Sequence, residues 1–393
     1  MGTITLRARR VQPIWAGHPW VFAQAIERVD GAPGRGDPVR VRDPEGKFLG
    51  AGFYTPESAI PIRLVTRDPD EPLDEAALAR RIERAARYRR ETLGFPTEAT
   101  TGFRMIHAEG DGLPGLVADV FGDVVVAQIG TAGMKRREDV LFGHLQRVTG
   151  AKTIVRTANR VKAEHIDDEW SVVRGPEPKA LRFRERGFEY EVPIQLTQKT
   201  GYYFDQRDNR ARVEAFAHGR VLDAYSYLGS MGLAAARGRA ESVLSVDSSA
   251  PVVAAGATIA HHNGLADRIE FRRDDIRKIL PVLAQRGERF DVVIVDPPKL
   301  VPTRKHLERG RRAYVELNRL AAKLLEPGGL LVSCSCSAAM RPGDLLRAVN
   351  LGARKAGKHL TLVDMGAQGA DHPTPAAFPE GRYLKAMFLR VDA

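Results

Sequence analysis

The feature that most constrains the fold is a change of rhythm at about residue 218, where short apolar segments begin to alternate with longer segments of helical periodicity. We predict strands in the following segments: 220–225, 242–247, 268–272, 290–295, 329–334, 360–364 and 384–391. This alternation is typical of an open, mostly parallel, doubly wound α/β sheet. Because ligands of such sheets bind beyond the carboxyl ends of the strands, the residues that follow each predicted strand are the candidates for a functional site.

The first predicted strand of this sheet leads into a glycine-containing loop, Asp223–Gly232. Gly229 and Gly232 allow the backbone to approach a ligand closely. The dinucleotide pattern G-x-G-x-x-G is incomplete, because Tyr227 stands in the place of its first glycine, and this argues against a nicotinamide cofactor. The loop residues that we expect to contact a cofactor are Asp223, Tyr225, Ser226 and Gly229.

Acidic residues end the second and third predicted strands. Asp247 follows the glycine loop at a spacing that suits a carboxylate gripping ribose hydroxyls. Asp274 and Asp275 end the next strand, where an acid can accept a hydrogen bond from an adenine amino group. Each acid by itself is more typical of a helix N-cap or a turn, but the loop and the acids in this order predict a nucleoside site. S-adenosylmethionine fits this site, since it carries ribose and adenine but no phosphate.

Two further motifs follow the next pair of predicted strands: Asp296-Pro297-Pro298-Lys299 and Ser335-Cys336-Ser337. An isolated cysteine usually packs as a small apolar residue, and an isolated D-P-P sequence is a rigid turn. At adjacent strand ends beside a cofactor loop, the two motifs together predict covalent chemistry on a pyrimidine. A thiolate that adds to carbon 6 makes carbon 5 nucleophilic enough to accept a methyl group.

The residue types of these motifs suggest individual roles. Cys336 is the predicted nucleophile, and Asp296 is expected to hydrogen-bond the base edge near N3 on a turn stiffened by Pro297 and Pro298. Pro297, Pro298 and Lys299 are the expected substrate-binding residues. Cys334 lies inside the predicted strand and is expected to pack, but alternation puts it on the same face as Cys336 and leaves it as a second candidate nucleophile. The basic segment Arg304–Arg312 is consistent with either phosphate contact or a solvated helix face.

The chain before residue 218 predicts further domains. Residues 1–70 show short strands broken by turns and predict a small β-rich domain, in which 38–42 alternates apolar and basic residues. Residues 74–195 predict an α+β domain that begins with a helix over 74–93, whose arginines are expected mostly on the solvent side. The predicted catalytic domain then covers residues 196–393.

Composition agrees with a multidomain protein that binds a polyanion. The 393 residues exceed what one core accommodates. Sixty Lys and Arg against 49 Asp and Glu give a net charge of +11, which favours a nucleic acid partner although the charge is spread along the chain. Cys334 and Cys336, the only cysteines, are poorly placed for a disulfide and too few for a four-cysteine zinc site, so we expect no metal site and a reducing cytoplasm. The sequence has no apolar signal core and no run of about twenty apolar residues, so secretion and membrane spanning are not expected.

Over nearly its full length the chain resembles the RlmI-type large-subunit ribosomal RNA cytosine-5 methyltransferases. The motifs that carry the resemblance are His18–Phe22, Glu109–Leu116, Lys199–Asp208, Asp296–Lys299, Ser335–Ser337, Asp371–Pro373 and Pro379–Lys385. The resemblance implies an N-terminal PUA-like RNA-binding domain, a central α+β domain and a class I, Rossmann-like methyltransferase domain. It also implies that Cys336 is the nucleophile, that Asp296 is the base-edge acid, and that Phe204, Gln206 and Arg207 line the cofactor side. Members of the family are often homodimers.

Three interpretations follow for the function. The first is an S-adenosylmethionine-dependent enzyme that forms 5-methylcytosine in ribosomal RNA or an assembling large subunit. A related group with the same fold methylates a guanine nitrogen, which needs no covalent cysteine, so a purine N-methyltransferase is the second. The third is a non-catalytic RNA-binding assembly factor. Lys299 stands where many RNA cytosine-5 methyltransferases carry a second cysteine, and Leu228, Ser230 and Ala338 also depart from the expected pattern.

Overall fold

The computed structural model describes residues 1–197 and 199–392, which form two compact units. The first unit comprises Met1–Phe204 together with Ala370–Gly381. The second comprises Asp205–Gly369 and the segment from Arg382 onward. The predicted division into three domains, at residues 1–70, 74–195 and 196–393, stays a prediction.

The first unit begins with a six-stranded sheet and a short helix, α1 (Val11–Trp15). Its strands are β1 (Gly2–Leu6), β2 (Trp20–Val21), β3 (Ile26–Asp30), β4 (Pro38–Arg42), β5 (Phe48–Tyr54) and β6 (Ile62–Thr66), in the spatial order β2-β6-β5-β4-β1-β3. In β4, Val39 and Val41 are fully buried while Arg42 is exposed. The alternation predicted for 38–42 therefore forms a strand with one face in the core.

A second, five-stranded sheet and two ribbons complete the first unit. The strands of this sheet and the two ribbons are β7 (Gly102–His107), β8 (Leu116–Phe121), β9 (Val124–Ile129), β10 (Thr153–Arg156), β11 (Asn159–Val161), β12 (Ile166–Asp168), β13 (Ser171–Arg174), β14 (Ala180–Glu185) and β15 (Phe188–Pro193). The larger sheet has the order β13-β10-β9-β8-β7, and β11 pairs with β12 and β14 with β15. The helices that pack here are α2 (Glu75–Arg87), α3 (Ala132–Lys135) and α4 (Glu138–Thr149).

Helix α2 begins where the sequence predicts a helix. The Asp74 side chain caps it by accepting a hydrogen bond of 2.8 Å from the Ala77 N–H, which satisfies one of the unpaired donors of the first turn. A π-helical turn, Tyr88–Thr92, continues it. Most arginines of this segment are exposed as predicted, but Arg81 and Arg89 are buried. Arg89 is held by both carboxylate oxygens of Asp111, so a buried arginine here has a matching charge.

The second unit is built on a seven-stranded sheet that confirms the predicted doubly wound fold. Its strands are β16 (His218–Ala224), β17 (Arg239–Asp247), β18 (Ile269–Arg273), β19 (Phe290–Val295), β20 (Leu325–Ser335), β21 (Leu360–Gly366) and β22 (Lys385–Val391). The spatial order is β18-β17-β16-β19-β20-β22-β21, parallel except for β22, which is antiparallel to both of its neighbours. The helices are α5 (Arg207–Phe216), α6 (Ser230–Arg237), α7 (Ala250–His262), α8 (Ile276–Gln285), α9 (Leu307–Lys323) and α10 (Pro342–Lys355).

The strand order of the second unit determines where a ligand can bind. The chain order reverses between β16 and β19, and this is the switch point at which doubly wound sheets open a crevice. Val292–Val295 of β19 and Leu330–Val332 of β20 are buried on both faces, as the apolar runs of a parallel sheet require. Polar side chains therefore accumulate at the strand ends. Among residues 1–197 and 199–392, no helix has both the length and the apolarity needed to span a membrane.

Candidate active site

Asp296 lies at the switch point, one residue beyond β19. Its backbone N–H donates to the carbonyl oxygen of Ala224 at the end of β16, at 3.4 Å. One carboxylate oxygen accepts a hydrogen bond of 2.8 Å from the side-chain amide of Gln206. The Gln206 carbonyl in turn accepts one of 2.6 Å from the Asn209 amide. Gln206 and Asn209 are both buried, so this chain orients the Gln206 amide and with it the acid.

Cys336 is the first residue past β20, and it is half-buried. Cys334, inside β20, is fully buried. Burial, and next the charge of Asp296, raises the pKa of the Cys334 thiol. Since the thiolate is the nucleophile, the structure favours Cys336 over Cys334 for covalent chemistry.

Hydrogen bonds hold the turn on either side of Cys336. The hydroxyl of Tyr314, on α9, donates to the Ser335 hydroxyl at 2.8 Å. The Ser337 N–H also donates to that hydroxyl, at 3.3 Å, and the Ser337 hydroxyl accepts from the Val301 N–H at 3.2 Å. Ser335, Ser337 and Tyr314 are fully buried. Cys336 is thus presented from a rigid turn in which both flanking side chains point into the protein.

Lys385, which the sequence reasoning did not assign, lies beside this turn. It is the first residue of β22 and pairs with Ser335 in the β20–β22 register. Its amino group donates to the carbonyl oxygens of Ser337 and Tyr383, at 2.6 and 2.7 Å. Burial lowers the pKa of Lys385 to about 8, with Lys299 acting in the same direction and Cys336 opposing it. The one sequence signal was its place in the Pro379–Lys385 motif.

Asp223 is the penultimate residue of β16 and the first residue of the glycine-containing segment. Its carboxylate accepts a hydrogen bond of 2.9 Å from the Gly232 N–H. Burial raises the pKa of Asp223 to about 7, with the charges of Asp296 and Asp247 acting in the same direction and the Gly232 hydrogen bond opposing it. Three predicted site carboxylates therefore lie near enough to influence one another.

The loop after Asp223 has an unusual backbone. Tyr225, Tyr227 and Gly229 have φ angles of +63°, +50° and +75°. Non-glycine residues rarely adopt this left-handed conformation, and those that do are concentrated at ligand-binding loops. The Ser226 hydroxyl is buried and has no hydrogen-bond partner within the described residues. Such a hydroxyl fits a polar ligand such as the nucleoside part of S-adenosylmethionine.

The acids at the ends of β17 and β18 already have protein partners. Asp247 accepts from the N–H groups of Tyr227 and Ser249, at 3.1 and 3.0 Å, so it supports the loop. Asp274 accepts from the Asp275 N–H at 2.9 Å. Asp275 is the N-cap of α8 and accepts from the Arg277 N–H at 2.9 Å. A carboxylate has about four acceptor sites, so capping and cofactor contact are compatible.

The remaining predicted residues have different environments. Phe204 belongs to the first unit, where it is fully buried against Phe121, Phe183 and Tyr202. Arg207 begins α5 and is buried. In the turn after Asp296, Pro297 is buried, whereas Pro298 and Lys299 are exposed.

Comparison with known families gives two matches along the chain. A family of PUA-like domains matches residues 4–67, and a family of S-adenosylmethionine-dependent methyltransferases matches residues 151–382. Two curated relatives, from Pseudoalteromonas translucida and Yersinia pestis, carry the name ribosomal RNA large subunit methyltransferase I. Each is 36% identical to this chain over 394 aligned residues, with 99% of both sequences covered.

Solved structures show the same fold at lower identity. An S-adenosylmethionine-dependent methyltransferase from Streptococcus mutans superposes with a TM-score of 0.84 at 18% identity, covering 100% of both chains. A methyltransferase crystallised with S-adenosylhomocysteine gives a TM-score of 0.85, also at 18% identity and full coverage. Trm5b from Pyrococcus abyssi covers 70% of this chain with a TM-score of 0.53.

Proposed function

This chain belongs to the ribosomal RNA large subunit methyltransferase I family of S-adenosylmethionine-dependent methyltransferases, and from that premise we propose that it forms 5-methylcytosine in large-subunit ribosomal RNA. The observation that carries this proposal is the half-buried Cys336 on its rigid turn, beside the strand that ends in Asp296. Neighbouring β19 and β20 run parallel, with Val295 opposite Ser333. The acid and the thiol therefore follow adjacent strands at the same edge of the sheet.

The first step is addition of the Cys336 thiolate to carbon 6 of the cytosine. The new sulfur–carbon bond moves the electrons of the 5,6 double bond onto carbon 5, while N3 takes up a proton from water. S-adenosylmethionine supplies an electrophilic methyl group, which carbon 5 can then accept. Loss of the carbon 5 proton to a base re-forms the double bond and expels Cys336 as a thiolate, and N3 returns its proton to water to leave neutral 5-methylcytosine.

The roles of the acid and the amine follow from their surroundings. Asp296, oriented by Gln206, would accept a hydrogen bond from the protonated N3 edge and so stabilise the adduct. Lys385 places a positive charge beside the Cys336 turn, which favours the thiolate. Asp223, Tyr225, Ser226, Gly229 and Asp247 are the second unit's residues that would hold the cofactor, together with Asp274, Asp275 and Arg207.

The proposal extends to substrate and setting. A cytosine inside folded RNA has to be unstacked or flipped to reach the thiol, and we assign RNA binding to the PUA-like region at residues 4–67. Either free ribosomal RNA or an assembling large subunit is a suitable substrate. We further propose a cytoplasmic location and a homodimer, as the family resemblance implies.

The test is methyl transfer from labelled S-adenosylmethionine to large-subunit ribosomal RNA that lacks its own methylations, with the nucleosides identified by mass spectrometry. We expect labelled 5-methylcytosine with the wild type and with the matched control Cys334→Ala, and none with Cys336→Ala. Label in a methylated purine would instead identify an N-methyltransferase. Undiminished 5-methylcytosine with Cys336→Ala would remove the cysteine from the mechanism, and RNA binding without any transfer would indicate an assembly factor.

A further inference from the structure

A large groove opens on the second unit between α8 and α9. Its volume is about 1150 Å³. At one end it is lined by Tyr225 of the cofactor loop and by Lys299, which directly follows the Asp296 turn. At the other end it is lined by Lys323, the last residue of α9, and by Lys358. The groove therefore runs along α9, from the edge of the sheet that carries the candidate active site.

Positive charge lines this groove from several separate segments. The basic residues that matter here are Arg277, Arg289, Lys299, Arg309, Lys323 and Lys358. Within the described part of the chain, Arg277 alone of these six forms an ion pair, with Asp275 at 3.4 Å. These charges come from α8, α9 and three loops, so they are not the solvated face of one helix.

The groove carries little compensating negative charge. Glu316 is the one carboxylate among the described residues that line it, and its partner at 2.5 Å is Arg319. Some basic residues elsewhere on the same unit have carboxylate partners, such as Arg311 with Asp344 at 2.6 Å and Arg237 with Glu214 at 2.7 Å. Unpaired like charges facing one cavity repel each other, and a polyanionic ligand relieves that repulsion.

The floor and the length of the groove indicate what kind of polyanion fits. Pro281, Ala284, Leu300, Leu317 and Leu320 line it between the basic residues. Helix α9 has 17 residues and is thus about 25 Å long, which is far more than a single phosphate occupies. An apolar floor bordered by basic side chains suits a strand with alternating bases and phosphates. Tyr225 lines the end near the active site, where the groove meets the cofactor loop.

We propose that this groove binds the single-stranded segment of RNA that flanks the target base. Its phosphates contact Lys323, Lys358 and Arg289 at the far end and Arg309 and Lys299 near the Asp296 turn. The inference rests on the proposed function for RNA as the substrate, and it adds a second RNA contact on the catalytic unit itself. Phosphate contacts of this kind position a strand without reading its sequence.

The test uses the full-length protein and a fluorescently labelled 20-nucleotide oligouridylate. The groove variant is Arg289→Ala, Lys323→Ala and Lys358→Ala, none of which is a predicted catalytic, cofactor-binding or substrate-binding residue. The control variant removes three exposed arginines of the same unit that do not line the groove, Arg239→Ala, Arg347→Ala and Arg354→Ala. Binding is followed by anisotropy over a range of salt concentrations, and S-adenosylhomocysteine affinity reports whether each variant is folded.

We expect the slope of log affinity against log salt to become shallower by about 2 in the groove variant, because each lost phosphate contact on a single strand contributes about 0.7. The control variant should keep the wild-type slope, and both should keep their S-adenosylhomocysteine affinity. In methyl transfer, the groove variant should raise the KM for RNA and leave kcat nearly unchanged.

Three outcomes overturn the proposal. The first is an unchanged salt slope in the groove variant, and the second is an equal decrease of the slope in the control variant. The third is a groove variant that loses the wild type's binding to labelled polyglutamate but retains binding to oligouridylate. The last result would identify an acidic protein as the partner. If the wild type forms no 5-methylcytosine but the groove variant loses oligouridylate binding as expected, the chemistry proposed above fails and the RNA groove stands.

Discussion

The amino group of Lys385 donates a hydrogen bond of 2.6 Å to the carbonyl oxygen of Ser337, the residue directly after Cys336. The same lysine pairs with Ser335, the residue directly before it, across β20 and β22. Strand pairing therefore fixes the backbone of Lys385, and hydrogen bonds to the carbonyl oxygens of Ser337 and Tyr383 fix its amino group beside the candidate nucleophile. This arrangement can stabilise the thiolate without any movement of the turn.

Replacement of Lys385 by Met should make the Cys336 thiol harder to ionise, since a nearby positive charge lowers a thiol pKa. We expect the rate of Cys336 alkylation by iodoacetamide at pH 7.5 to fall by about tenfold, because a smaller fraction of the thiol is ionised. The pH profile of kcat should move to higher pH, and Lys385→Arg should restore part of the rate. Lys278→Met, on exposed α8 surface, is the control. An unchanged alkylation rate in Lys385→Met would assign the lysine to structure alone.

Replacement of Gln206 by Ala tests what this residue holds. In the structure its amide orients Asp296, whereas the family resemblance implies a position on the cofactor side. We expect kcat to fall by about tenfold, because Asp296 loses a charge-assisted hydrogen bond, while the affinity for S-adenosylhomocysteine changes little. Weakened S-adenosylhomocysteine binding with normal kcat would show that the cofactor contact dominates. Asn209→Ala removes the hydrogen bond that the Gln206 carbonyl accepts. It should lower kcat in the same way, but by less.

The pKa of Asp223, raised to about 7 by burial, makes stability depend on pH. Between the unfolded value of 3.8 and about 7 the folded state binds the proton more tightly than the unfolded state. The stabilising contribution of protonated Asp223 is therefore fully present below pH 3.8 and is lost as the pH rises to about 7. The free energy of unfolding, measured with urea, should be lower at pH 7.5 than at pH 5. This decrease should be smaller in Asp223→Asn than in the wild type, by on the order of 2–4 kcal/mol. Equal declines in the two proteins would mean that Asp223 is ionised at pH 5.

Much of the catalytic fold could be predicted from local pattern. The strands of a parallel sheet are buried on both faces, so they appear in the sequence as apolar runs, and all seven predicted segments contain strands of the observed sheet. The same logic placed Cys336 just past the end of a strand and Cys334 inside it, as observed. Helix α2 was predictable from its cap and its periodicity.

Other features depend on residues that are far apart in the chain. The burial of Arg89 depends on Asp111, and no periodic pattern along α2 carries that information. Asp275 has the residue type of both a cofactor ligand and a helix cap, and the start of α8 decides that it caps. Gln206 precedes α5, and its contact with Asp296 joins residues 90 positions apart.

By itself, the sequence determined the order of the strands and helices along the chain, the residues that end each strand, and the residue types available for chemistry, because all of these follow from local periodicity. The tertiary structure decided which strand ends meet. It inserted β22 between β20 and β21 and so brought Lys385 against the Cys336 turn, 48 residues beyond Ser337. Hydrogen bonding between strands determines such neighbours, and it depends on the packing of the whole sheet rather than on any local segment.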